Sequence, residues 1–128
     1  MKKLVVLILL LTSVTPANAA PNYIFPVADC AVKYVKAHHD YAANDIEAKK
    51  GCKFVSPVNG VVDEVSRVDN WSGKTNLGID RGGLYVSVIG EDGVRYYGSH
   101  LTSVVASIQP GISVKAGQIL GRVGSTGS

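Results

Sequence analysis

Residues 84–100 read LYVSVIGEDGVRYYGSH, and this stretch decides the fold class. Two short runs rich in β-branched and aromatic residues, Leu84 to Ile89 and Val94 to His100, flank Gly90, Glu91, Asp92 and Gly93. A link bounded by glycines accommodates positive φ in a tight turn, so the two runs are expected to pair as an antiparallel hairpin. The same grammar extends outward. Lys53 to Ser56, Gly60 to Val68, Ser113 to Lys115 and Gln118 to Val123 read as further strands between glycine-rich turns, and no stretch keeps a 3.6-residue period for three turns. The expectation is an all-β domain built on a small antiparallel sheet. Asp69 to Gly83, polar around Trp71, reads as a long surface loop, while Val104 to Gln109 is ambiguous, open to irregular chain or to one helical turn before Pro110 and Gly111 break it. Strict alternation places His100 on one face with Tyr96 and Gly98, where the small glycine leaves open space, with Tyr97 and Ser99 on the other.

The chain has 128 residues, and its start has the grammar of an export signal: basic Lys2 and Lys3, apolar Leu4 to Leu11, then Ala17, Asn18 and Ala19 as a small-residue cleavage site. Residues 1–19 are therefore expected to be removed, leaving one domain over 20–128 in the periplasm or outside the cell. The apolar run is well short of the ~20 residues that span a bilayer, so no stable membrane insertion is expected. Without the two leader lysines the net charge falls from +3 to +1, which offers no case for nucleic-acid binding. Cys30 and Cys52 are the only cysteines. An even pair in an exported chain is most simply a disulfide, worth roughly 3 kcal/mol on the chain-entropy model. Zinc ligation by the thiols and two free thiols are the alternatives.

That bridge would enclose His38, His39, Asp40, Tyr41, Ala42, Ala43, Asn44 and Asp45, a density of imidazole and carboxylate donors found nowhere else in the chain. One further histidine exists, His100. A catalytic zinc usually takes three protein ligands and keeps a fourth position for water, so donor counting would take His39, Asp45 and His100 as a complete set. Read without other context, His100 is a strand-end histidine satisfied by a backbone carbonyl. Asp40 reads as a solvated loop carboxylate.

Several of these segments, taken in order, carry a family likeness. The run from His39 to Ile46, GCKFVSPVNGVV over 51–62, YYGSHL over 96–101 and PGISVKAGQILGRVGSTG over 110–127 together resemble the M23 (LytM-type, lysostaphin-like) zinc metallopeptidases. The resemblance implies a small antiparallel domain of the barrel-sandwich hybrid type, which hydrolyses peptide bonds in bacterial peptidoglycan with zinc. It makes His39 and Asp45 metal ligands, with His38 as second choice for the histidine, and moves His100 from ligand to catalytic partner. The longer spacing here, against the common HxxxD, matches a subgroup with an HHDYPA segment, in which proline stands at the position of Ala42. The third ligand in the family belongs to an HxH motif following the loop matched by Gly124 to Ser128. It is thus expected beyond Ser128, and two ligands alone should hold zinc poorly and leave residues 1–128 inactive.

Two other classes compete. A non-catalytic M23-like domain would bind the cell wall or activate an amidase, but has no need for all of His39, Asp45 and His100. A biotinyl or lipoyl-like carrier shares the look of VKAGQILGRV, but needs a modifiable lysine at a projecting tip, whereas Lys115 is expected within a strand.

Overall fold

The computed structural model describes residues 19–35 and 45–128. His38, His39, Asp40 and the leader residues 1–18 lie outside them. The described residues form an antiparallel all-β structure of two sheets with no α-helix, and none of their helical turns is long and apolar enough to cross a membrane. Nine strands follow in chain order: β1 (Val27–Ala28), β2 (Val32–Val35), β3 (Asp45–Ala48), β4 (Lys53–Val55), β5 (Gly60–Ser66), β6 (Leu84–Gly90), β7 (Arg95–Val104), β8 (Ser113–Val114) and β9 (Ile119–Val123). Seven make one sheet in the order β1-β4-β9-β7-β6-β5-β8, and β2 with β3 makes a separate ribbon.

The expected hairpin is β6 with β7. Gly93 takes φ +77°, and the Gly90 N–H donates to the Val94 carbonyl at 2.8 Å, closing the turn. Gly90 itself serves a different need, since a Cβ there would press on Val58 and Tyr96. Strands β8 and β9 are joined by only four residues, yet β8 pairs with β5 at one edge while β9 lies between β4 and β7. The Gln118 N–H bonds the Lys115 carbonyl at 2.9 Å across that turn, so the sheet has to roll until its β8 edge returns to β9, without closing into a barrel. Inside the roll lie Phe54, Val62, Val86, Val88, Leu101, Ile108, Val114 and Leu120.

The crossover from β7 to β8 is a set of turns with no helix over 104–109; the Ile108 N–H bonds the Val105 carbonyl at 3.0 Å, and Arg67 adds side-chain bonds to the same stretch. Its guanidinium donates to the carbonyls of Val104 at 3.1 Å, Val105 at 3.0 Å and Ala106 at 3.3 Å, and also to that of Ile108. Ile108 is thereby held in the core at 1 % exposure. Lys115 is the first residue of the β8–β9 turn, one position outside the strand in which it was expected. The turn does not project: the Ala116 N–H bonds Asn59 Oδ1 at 3.0 Å, and the Gly117 N–H bonds the Ser56 carbonyl at 2.8 Å. A carrier's swinging lysine arm needs the opposite, a free tip.

Cys30 and Cys52 form a disulfide with their Cα atoms 5.9 Å apart. It closes a loop containing both strands of the ribbon and ties that ribbon to the start of β4. The segment before it is laid against the sheet: the Ile24 N–H donates to the Pro57 carbonyl at 2.7 Å, and the Val55 N–H to that of Pro26 at 2.9 Å. Tyr23 and Tyr96 both donate their hydroxyls to Asp92 Oδ2, at 2.9 and 2.6 Å. The bond to Asp92 pushes the Tyr96 phenol up to about 12.

Two outcomes are expected. A Cβ at Gly98 would overlap the Phe54 ring, so Gly98→Ala should lower unfolding stability by about 1–3 kcal/mol in urea titrations, and an unchanged midpoint would contradict that packing. For Tyr96 the raised phenol pKa means that the contribution of its bond is complete below the ordinary ~10 and is lost as pH rises through about 12. Asp92→Asn should bring the Tyr96 midpoint in a tyrosinate absorbance titration back toward ~10.

Candidate functional site around His100

His100 does not sit where alternation puts it. In the β6–β7 ladder Val86 faces Gly98 and Leu84 faces Leu101, so β7 carries one extra residue between Gly98 and Leu101. This is a β-bulge, and it resets the phase of the strand. Gly98 and Leu101 both face inward, Leu101 at 1 % exposure, and His100 is displaced from the face of Tyr96 and Gly98. The open space expected beside Gly98 is filled by the Phe54 ring. Drawing Leu101 into the core is what the extra residue achieves.

The bulge leaves His100 at φ +55°, a left-handed conformation uncommon outside glycine although histidine enters it more often than most residues. Its backbone is held there by the His100 N–H donating to the Gly82 carbonyl at 2.8 Å. Its ring is half-buried, with Nδ1 2.8 Å from the Thr126 carbonyl oxygen. A carbonyl can only accept, so Nδ1 carries a proton, and of the two neutral tautomers this is the one with its lone pair on Nε2. An oriented imidazole with a free lone pair suits either a general base or a metal ligand.

The surroundings come from the loop after β5 and from residues 124–128. Asp69 accepts the Trp71 N–H on Oδ1 at 3.2 Å and the Gly127 N–H on Oδ2 at 3.0 Å. Arg81 donates from Nε to Asn76 Oδ1 at 3.2 Å, and its carbonyl accepts the Ser128 N–H at 3.1 Å. Trp71 is partly exposed on this loop, which includes a short 3-10 turn over Gly78–Asp80. Tyr97 points outward, its ring 5.3 Å from that of Tyr85, with the Arg95 guanidinium 5.3 Å above it. Arg95 is itself fixed by Asp63 at 3.0 Å and Glu64 at 2.8 Å. Tyr96 and Tyr97 therefore face opposite ways.

Asp45 opens β3, half-buried and opposite Val35 in the ribbon. The described residues contain no group of three His, Cys, Asp or Glu side chains close enough to share a metal ion. The donor chemistry of the segment still suits zinc, with imidazoles at His38 and His39 and a carboxylate at Asp45, but both histidines fall outside the described residues. Asp45 was legible by residue type. Thr126 and Asp69 were not, since a backbone carbonyl leaves no mark in sequence and Asp69 reads as one more polar loop residue. Comparison with family models, curated proteins and solved structures finds no match to this chain. The M23 likeness rests on its own residues.

A left-handed position distinguishes glycine from other residues. His100→Gly is expected to be more stable than His100→Ala by about 1 kcal/mol in urea unfolding, because alanine meets the steric cost of positive φ that glycine avoids. Equal stabilities would mean that the bulge is not kept in solution.

Proposed function

We propose that this chain belongs to an exported zinc-dependent endopeptidase of the M23 type, which hydrolyses peptide bonds in bacterial peptidoglycan. The observation that carries the reading is His100: the backbone carbonyl of Thr126 satisfies it, as expected of a strand-end histidine, and in a left-handed bulge this Nδ1–H bond leaves Nε2 of the neutral ring to accept a proton. Backbone strain of this kind clusters at working sites, where the surrounding structure over-determines it. Support also comes from the motif order, from an antiparallel all-β architecture, and from a disulfide that suits an oxidising compartment and closes the loop carrying the ligand segment.

In this reading His39, or His38 in its place, and Asp45 would hold the metal. A zinc ion held by these residues would supply Lewis acidity toward the scissile carbonyl and lower the pKa of water near neutral pH. His100 Nε2 accepts the proton of the attacking water and, as imidazolium, steadies the negative charge developing on the carbonyl oxygen. General acid–base assistance of this kind typically contributes about 10²–10⁴-fold.

The test separates ligand from base in the natural protein. His39→Ala and Asp45→Ala should lose both zinc and peptidoglycan hydrolysis, whereas His100→Ala should keep zinc and lose hydrolysis by about 10²–10⁴-fold. Loss of zinc in His100→Ala would replace the assignment with the three-donor site of His39, Asp45 and His100. A wild-type protein that binds wall fragments with neither zinc nor hydrolysis would favour the non-catalytic reading.

A further inference from the structure

Residues 124–128 follow the last described strand, and nothing in a regular ladder would fix the carbonyl that His100 uses. Three anchors hold it. The Thr126 hydroxyl accepts the Leu84 N–H at 3.0 Å and donates to the Leu101 carbonyl at 2.7 Å. Leu84 and Leu101 face each other in the β6–β7 register, so the hydroxyl bridges facing residues of the two strands beside the bulge. The Gly127 N–H is bound by Asp69 Oδ2, and Gly127 lies so close to the backbone of Arg81 and Gly83 that a Cβ would overlap it. The same loop carries the Gly82 carbonyl that receives the His100 N–H.

We infer that Thr126 and Asp69 are positioning residues for His100: together they hold the Thr126 carbonyl where it keeps the imidazole in its Nδ1–H form and reserves Nε2 for the reaction. This rests on the catalytic role proposed above for His100. The side chain of Thr126 acts through its own backbone, locking the peptide unit whose carbonyl meets the ring. Asp69 acts on that same peptide unit from its other side, accepting the Gly127 N–H on Oδ2 at 3.0 Å, while its Oδ1 bond to the Trp71 N–H ties it into the loop. A neutral imidazole without a fixed partner exchanges between two tautomers, and only one of them presents a base on Nε2.

The test is the nitrogen-15 signature of His100 in the natural protein labelled at histidine, compared among wild type, Thr126→Val, Thr126→Ser and Asp69→Asn. Valine keeps the shape of threonine and loses both hydroxyl bonds, while serine keeps them. Wild type and Thr126→Ser should give the Nδ1–H tautomer alone. Thr126→Val and Asp69→Asn should give a mixture, and hydrolysis by Thr126→Val should fall by about 10- to 100-fold, the usual effect of removing a group that orients a working imidazole. An unmixed Nδ1–H signal in Thr126→Val overturns the inference, as does an Nε2–H tautomer in wild type. If Thr126→Val does not fold, the exposed-loop variant Asp69→Asn decides in its place by the same signature. Full hydrolysis by His100→Ala would instead sink the catalytic reading, and the tautomer comparison would still report on the positioning by itself.

Discussion

The four-residue connection between β8 and β9 is the constraint on which the rest of the molecule depends. One of these strands is at an edge of the sheet and the other lies inside it, so the short turn can be made only if the sheet rolls. Rolling requires local departures from regular pairing, and the ladders contain them: an extra residue at Asp63 on β5, at Leu120 on β9, at Thr102 on β7 where it meets β9, and between Gly98 and Leu101 on β7. Bulges raise twist and re-aim side chains. The last of them delivers Leu101 to the core and His100 to the rim, so the conformation of the candidate base follows from the curvature of the sheet. Gly98 allows the Phe54 ring to lie directly on the strand at the same place, and this packing carries the roll through to β4.

Much of this architecture was legible because its signals are local. Six strands follow from alternation and glycine punctuation, the β6–β7 hairpin from Gly90 to Gly93, and the Cys30–Cys52 pairing from cysteine number and export context. Strands β1, β2 and β3 were not legible. Val27–Ala28 is too short for a period to register, and Asp45–Ala48, with Asp, Glu and Ala, is a poor strand by propensity. The ribbon pairs inside a loop whose ends are covalently joined, which lowers the entropy of bringing β2 to β3.

The site divides along the same line. His38, His39, Asp45 and His100 stand out by residue type, because few side chains can hold a metal or move a proton near neutral pH. Their surroundings do not stand out. The phase of His100 depends on a bulge, and a bulge depends on which neighbour the core draws in, so alternation alone put the ring on the wrong face. Ser87 is a related case: a fully buried hydroxyl that donates to Asp63 at 3.2 Å and accepts the Glu64 N–H at 3.2 Å, filling the hydrogen bonds opened by the extra residue on β5. Among the described residues no buried side-chain polar atom lacks a partner.

An unclosed sheet has two edges, and each is a template on which another chain could add a strand. Here β1 and β8 offer only two residues apiece. Where the crossover beyond β7 would otherwise present its carbonyls, the Arg67 fork already occupies those of Val104, Val105, Ala106 and Ile108. A lysine could not substitute, since a single ammonium lacks the planar reach to span four acceptors around a turn. One side chain of β5's flank thus does for this crossover what a neighbouring strand does for a ladder: it leaves four loop carbonyls with a donor and no need of another chain.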